Sequence, residues 1–287
     1  MSYSRNCEIK TGVSMPEGMR RIAIGLEYAG ADFNGFQRQK STANTVQEAL
    51  ESALTAIACE PITSVCAGRT DAGVHATGQV LHFDTLAERP DKAWQLGVNT
   101  KLPDSIRVQW ARQVEPEFHA RFSAGSRTYR YVGRCSRARS AVLGRQVSHF
   151  SYELNLEAMQ RASSYLLGEH DFSAFRAAQC QAHSPVRKLE FIRWYRQGQL
   201  WVMEVQANAF LHHMVRNIVG SLVEVGRGAQ DPEWIKTVLE SRDRCLAGAT
   251  APPWGLYLVD VAYPQSFGLP QFPVGPSFLA LSADNRC

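Results

Sequence analysis

Gly68-Arg-Thr-Asp-Ala-Gly-Val-His75 puts a guanidinium, a hydroxyl, a carboxylate and an imidazole within eight residues, with two glycines among them. Glycine lets backbone approach a ligand closely. A neighbouring opposite charge favours the charged form of a carboxylate. Held in a dry cleft, such a group can serve as nucleophile or general base. The same residue types also fit a structural Arg69–Asp71 pair that merely fixes a turn. Residue chemistry alone leaves the two readings level.

A second concentration lies downstream. Between Phe118 and Tyr152 there is no Asp or Glu, while Arg121, Arg127, Arg130, Arg134, Arg137, Arg139 and Arg145 fall in that stretch. Phe122, Tyr129 and Tyr131 are interleaved with them. Arginine forks pair with phosphate and aromatic rings stack on bases, so the pattern suits nucleic acid. The plainer reading is a solvated basic strand and loop.

Other chemistries lack their signatures. No G-x-G-x-x-G, G-x-x-x-x-G-K-[ST] or H-E-x-x-H occurs, which removes dinucleotide, phosphate-loop and zincin readings. His212 and His213 are adjacent, and a helix would point them about 100° apart. Packing or hydrogen bonding is expected of them rather than a shared metal. The seven cysteines are odd in number and form no C-x-x-C, so neither a zinc site nor a disulfide framework is expected. Cys66 lies in an apolar strand without a histidine beside it and reads as a small buried hydrophobe.

Composition agrees with a folded chain. The 287 residues are 45% hydrophobic and 20% charged, with a net charge of +4. No apolar run approaches the ~20 residues of a membrane span, and the polar first residues show no secretory h-region. A reduced, cytoplasmic setting is the expectation.

The elements that must carry these residues read as two similar halves. Arg21–Tyr28 alternates as a strand, with Ile22, Ile24, Leu26 and Tyr28 on one face. Thr45 and Glu48 form a capping-box pattern before a helix to Cys59. Strands follow at Ile62–Ala67 and Gln79–Thr85, with the Gly68–His75 loop between them. A helix from Asp91 to Val98 and a strand through Ile106, Val108 and Trp110 complete a β-α-β-β-α-β order, the split unit of ferredoxin-like folds. The second half has strands at Arg127–Arg134, Leu189–Tyr195, Leu200–Gln206 and Leu256–Tyr263. Its helices are expected at Leu156–Leu167, His212–Val225 and, with Asp231 as cap and Pro232 at N1, Glu233–Glu240. The fold expected is α+β: two ferredoxin-like (RRM-like) subdomains with antiparallel sheets flanked by helices and an active-site cleft between them. The divisions are a polar leader (1–20), an N-terminal subdomain (21–115), a C-terminal subdomain (116–263) and an irregular arm (264–287) packed on a surface.

Ala67-Gly-Arg-Thr-Asp-Ala-Gly-Val-His75 followed by Thr77-Gly-Gln-Val80 resembles the signature of the tRNA pseudouridine synthase A family. Gly35-Phe-Gln37, Phe118-His-Ala-Arg-Phe122, Tyr129-Arg-Tyr131, Gly168-Glu-His-Asp-Phe172, Phe210-Leu-His-His-Met-Val-Arg-Asn-Ile-Val-Gly220 and Gly255-Leu-Tyr-Leu258 also resemble family blocks, in family order. Ala29 departs from the pattern, where the family usually carries an acidic residue. The resemblance covers about Arg21 to Ala280. It implies isomerisation of uridine to pseudouridine at positions 38, 39 and 40 of the tRNA anticodon stem-loop, without cofactor or metal, by a homodimer. By the same resemblance Asp71 is the catalytic carboxylate and Tyr129 packs on the target base. Arg216 pairs with the aspartate, Arg69 helps displace the nucleotide, and Leu258 walls the base pocket. The residues alone leave two rivals: a non-catalytic RNA-binding module, and a metal-dependent phosphodiesterase using Asp71 with Asp84 or Glu169.

Overall fold

The computed structural model describes residues 15–279. Most of the polar leader with Cys7, and the end of the arm with Cys287, lie outside the described residues.

The first half runs β1 (Arg20–Tyr28), α1 (Val46–Ala58), β2 (Ser64–Cys66), β3 (His75–Thr85), a short helix with π turns (Ala93–Gly97) and β4 (Ile106–Val114). Ile22, Ile24, Leu26 and Tyr28 are buried as their spacing requires. The opposite face is covered too: the Trp110 indole lies where any Cβ on Gly25 would meet it at 2.0 Å. Thr45 caps α1 by accepting from the Glu48 N–H at 3.3 Å. The return half of the capping box is not made, because the Glu48 carboxylate pairs with Arg38 at 2.6 Å.

The second half runs β5 (Ser126–Cys135), β6 (Ser148–Phe150), α2 (Leu156–Ser163), β7 (Gly168–Asp171), β8 (Val186–Gln197), β9 (Leu200–Ala207), α3 (Met214–Gly226), α4 (Trp234–Ser241) and β10 (Leu256–Ala262). Helix α4 starts two residues beyond Pro232, and Asp231 contributes its carbonyl to the Trp234 N–H at 3.0 Å rather than a side-chain cap. Strands β6 and β7 span only three and four residues, too few to print an alternation in the sequence.

The sequence pointed to two antiparallel sheets facing a cleft. The described strands instead form one ten-stranded sheet in the order β4-β1-β3-β10-β5-β9-β8-β7, with β2 on β3 and β6 on β5. The join is β10. It runs parallel to β3 through Tyr257↔His75 and Leu258↔Ala76, and antiparallel to β5 through six pairs from Leu256↔Tyr131 to Ala262↔Ser126. The fold is therefore mixed α/β, a large sheet flanked by helices.

Alternation sorts the sheet into two faces. Tyr129, Tyr131, Leu256 and Leu258 pack in the main core, whereas Val132, Val202, Tyr257 and Val259 form a second apolar cluster with Leu279 of the arm. The arm is fastened across that second face. Arg130 donates to the carbonyls of Val274 (3.0 Å) and Gly275 (2.7 Å), and also pairs with buried Glu204 at 2.6 Å.

A loop between β4 and β5 is locked to β3 by His82. The buried His82 ring accepts the Ala120 N–H on Nδ1 at 3.1 Å. Burial first, then the Arg21 charge, pushes His82 down to about 4 from the ordinary 6.5. The unfolded chain takes up this proton near pH 6.5 and the folded chain resists until about pH 4, so stability falls as pH drops through that window. A loss on the order of 3 kcal/mol is expected between those limits. Urea unfolding against pH should show it, and His82→Asn should flatten the acid limb. An unchanged limb in the variant would assign the acid sensitivity elsewhere.

Candidate active site

The loop that carries Asp71 is held at nearly every residue. Gln79 donates to the Gly68 carbonyl at 2.6 Å, and Arg127 donates to the Ala67 carbonyl at 3.1 Å. The Tyr28 hydroxyl bonds the Thr70 hydroxyl at 2.7 Å, and the Phe36 N–H donates to the Thr70 carbonyl at 3.0 Å. The Val74 N–H closes the turn on the Asp71 carbonyl at 3.1 Å. Gly73 has φ +79°, and a Cβ there would meet Pro253 at 2.8 Å. This position needs glycine for both reasons.

Three side chains converge on the Asp71 carboxylate. The Arg216 Nη1 lies 3.4 Å from Oδ2, His212 Nε2 lies 3.3 Å from Oδ1, and His213 Nε2 lies 3.5 Å from Oδ2. Arg69 is exposed and, among the described residues, makes no ion pair. The turn-fixing Arg69–Asp71 pair is therefore not formed. Arg216 sits in the first turn of α3 and is itself fixed, donating from Nε to the Ala251 carbonyl at 2.9 Å.

The histidines correct the helical-wheel expectation. Helix α3 begins only at Met214, and His213 caps it in the left-handed region with φ +61°. The backbone therefore turns between the two histidines, and their rings lie 4.1 Å apart, both facing Asp71. The sequence held them inside a family block and gave them only packing or hydrogen bonding, without pointing to Asp71, because the 100° rule applies only within a helix. Burial pushes His213 down against the opposing pull of Asp71, so its contact is that of a neutral imidazole. Asp71, His212 and His213 bring ligand atoms within 4.8 Å of one another. Their donor types would suit a divalent ion, but the Arg216 guanidinium on the same carboxylate opposes a second cation.

Across the loop lies Tyr129. Its ring packs edge-on to Phe210 at 5.0 Å, with the planes at 81°. A Cβ on Gly68 would lie 3.7 Å from the Tyr129 hydroxyl and 3.9 Å from Leu258, so the missing side chain leaves a space between them. Among the described residues the Tyr129 hydroxyl has no hydrogen-bond partner, whereas the Tyr131 hydroxyl bonds Ser148 and Pro252. Burial chiefly, and the Asp71 charge next, raise the Tyr129 phenol, so it stays protonated. Tyr129 thus belongs to the core and lines the site at once. Burial likewise pushes the Cys66 thiol up to about 11, which leaves it unreactive. Asp84 is tied to Arg21 at 2.7 Å and Glu169 is exposed on β7, so neither carboxylate joins Asp71.

The basic stretch divides. Arg127 and Arg130 are internal braces. Arg139 lies over Trp254 at 5.9 Å, and Trp254 abuts Gly73, while Arg145 pairs with Asp32. Arg121 and Arg69 are exposed, and the charges of both bear on Cys66 at the start of the loop. A cavity of about 950 Å³ lies instead under the arm and is lined by Trp110, Val259 and Tyr263, with none of the Asp71 group in its walls.

One close approach holds Arg216 in place. A Cβ on Gly220 of α3 would lie 1.7 Å from the Ala249 carbonyl oxygen. Gly220→Ala must therefore displace the 249–251 segment that anchors Arg216. Overpacking of this kind costs about 1–3 kcal/mol. Thermal unfolding should show a midpoint lowered by several degrees, and a native midpoint would mean the segment yields freely.

Comparison with known proteins gives the family of the chain. A family model described as tRNA pseudouridine synthase matches residues 26–123 and 162–264, more than half of the chain. The chain is 56% identical over 259 residues to tRNA pseudouridine synthase A of Aliivibrio fischeri, covering 90% of this chain and 98% of that protein. It is 54% identical over 266 residues to the protein of the same name from Haemophilus influenzae, covering 93% and 98%. Among solved structures a Cbf5-Nop10-Gar1 complex aligns with 83% of this chain and 48% of that one, at 11% identity and a TM-score of 0.34, too distant to bear on the site. By the family model and by this identity over most of its length, the chain belongs to the tRNA pseudouridine synthase family.

Proposed function

We propose that this chain isomerises uridine to pseudouridine in tRNA, at positions 38, 39 and 40 of the anticodon stem-loop, with Asp71 as the catalytic carboxylate. The observation that carries the reading is the Asp71 carboxylate, braced by Arg216, on a loop whose Gly68 borders a gap with Leu258 and the unpartnered Tyr129 hydroxyl. The reaction breaks the bond between the sugar C1′ and N1 and forms one between C1′ and C5. The C5 proton leaves and N1 gains a proton, so the product is an isomer and nothing is oxidised or consumed. A carboxylate and proton-transferring groups suffice for such a change.

The uracil must leave its stack to reach Asp71, at a cost of roughly a few kcal/mol. In this reading Tyr129 packs on the displaced base, Leu258 walls the pocket, and the exposed Arg69 takes part in displacing the nucleotide. Arg216 positions Asp71. The reading extends to two ferredoxin-like halves, supported by the strand orders β4-β1-β3-β2 and β10-β5-β9-β8, which follow the same pattern. The family resemblance adds a homodimer working in the cytoplasm.

Asp71→Asn should fold and bind tRNA, yet release tritium from uridine labelled at carbon 5 at less than about a thousandth of the native rate. Release above that level would remove Asp71 from the chemistry.

Tyr129 separates stacking from proton transfer. A protonated, unpartnered hydroxyl at the pocket can serve the base while it is reattached through carbon. Tyr129→Phe should keep native tRNA affinity and lose turnover by about 10²-fold or more. Tyr129→Leu should also weaken the flipped complex by ~1–3 kcal/mol. Single-turnover rates and affinities of the two variants give the answer, and native turnover in the Phe variant would make the hydroxyl idle.

A further inference from the structure

We infer that Phe122 is a stacking platform for a nucleobase of the substrate RNA, set on the rim beside the Asp71 loop. The inference rests on the tRNA reading above and adds a contact that reading does not contain. Phe122 is 76% exposed, whereas Tyr129 and Tyr131 of the same basic stretch are buried. The other phenylalanines left exposed, Phe272 and Phe278, lie on the arm.

Slack chain does not account for this exposure. Phe118 is fully buried, and its carbonyl accepts from Arg21 at 2.8 Å. The Ala120 N–H is held by His82, and the Ala120 carbonyl accepts from the Tyr263 hydroxyl at 2.6 Å. The N–H groups of Arg121 and Phe122 both donate to His119 Nδ1 at 3.2 Å. Every link around the ring is fastened, yet the ring itself is presented to solvent. A rigid aromatic held out in this way is already organised for a planar partner.

The neighbours identify that partner. The His119 ring stacks on Phe122 at 4.3 Å with planes 30° apart. Burial and the Arg21 charge hold His119 below the ordinary histidine range, so it is a neutral extension of the stack. The Arg121 guanidinium lies 5.5 Å from the Phe122 centroid, within reach of the phosphate of a nucleotide stacked there. A protein partner would call for a contiguous apolar patch. One ring beside a guanidinium suits a base and its phosphate instead.

Position links the platform to the chemistry. A single guanidinium group ties the two loops: Arg127 Nη2 donates to the Arg121 carbonyl at 2.6 Å and to the Ala67 carbonyl at 3.1 Å. Ala67 precedes Gly68, and Arg69 follows it. A base unstacked near the target uridine would meet Phe122 while the uridine itself enters the gap beside Asp71.

The test uses the full chain and transcribed tRNA, with Phe122→Ala, Phe122→Leu and Phe122→Trp beside wild type. Because the ring is exposed, all four should unfold at the same temperature. Ala and Leu should weaken tRNA binding by about 5- to 100-fold while Trp restores it, as base stacking requires a π face. The slope of log affinity against log salt should stay native in all of them, since no phosphate contact is removed. Fluorescence of 2-aminopurine placed beside the target uridine should be quenched by wild type and Trp, but not by Ala. Native affinity in the Ala variant, or a Leu variant as good as Trp, would overturn the platform. Wild-type protein that neither binds tRNA nor forms pseudouridine would instead overturn the functional reading, and the two failures are therefore distinct.

Discussion

Strand β10 is the constraint on which the site depends. It is the last strand of the chain's second half, yet it also pairs with β3 of the first half at His75 and Ala76. On its other edge it pairs Leu258 with Tyr129 of β5. That one insertion brings the Asp71 loop, which leads into β3, against the tyrosine and leucine of the second half. Ladder hydrogen bonds on both edges make the placement stiff. A gap built from both halves needs such a seam, because an interface held by loops alone would be free to shift.

Around the seam, burial does most of the chemical tuning. The ring of Tyr129 is sunk in the core, and desolvation with the Asp71 charge keeps its phenol protonated. Desolvation also keeps His213 and the Cys66 thiol uncharged. The exposed cations, Arg69 and Arg121, stand outside this dry region. Unpaired charge is thus kept on the rim, and neutral donors are kept inside, where an unpaired charge would be costly.

Basic residues of one stretch perform two kinds of work that composition cannot separate. Arg127 and Arg130 each spend their donors on backbone carbonyls, the first joining two loops and the second fastening the arm. Both look identical in sequence to Arg137 and Arg139, which lie on the surface. The planar five-donor fork suits either use, and burial alone tells them apart. The aromatics divide in the same way, Tyr129 and Tyr131 inward and Phe122 outward.

Strand β1, helix α1 with its Thr45 cap and the alternation through Tyr129 and Tyr131 were legible because local periodicity and capping are local physics. The candidate carboxylate was legible for a different reason: a carboxylate, a guanidinium and glycines in one short loop are rare chemistry, and a long specific block resembled a known family. Other features could not be read. The single sheet depends on which edge β10 chooses, a pairing between residues far apart in the chain. The convergence of His212 and His213 on Asp71 depends on one left-handed residue, invisible to a helical wheel. That Arg216 rather than Arg69 partners Asp71 was implied by the family resemblance but not by spacing: side chains two apart on an irregular loop need not face each other, while packing of α3 against the 249–251 segment aims a distant guanidinium at the carboxylate. Sequence by itself determined the elements and the chemistry available to them. Tertiary structure decided which charges meet, since contacts between distant segments are set by packing and not by spacing along the chain.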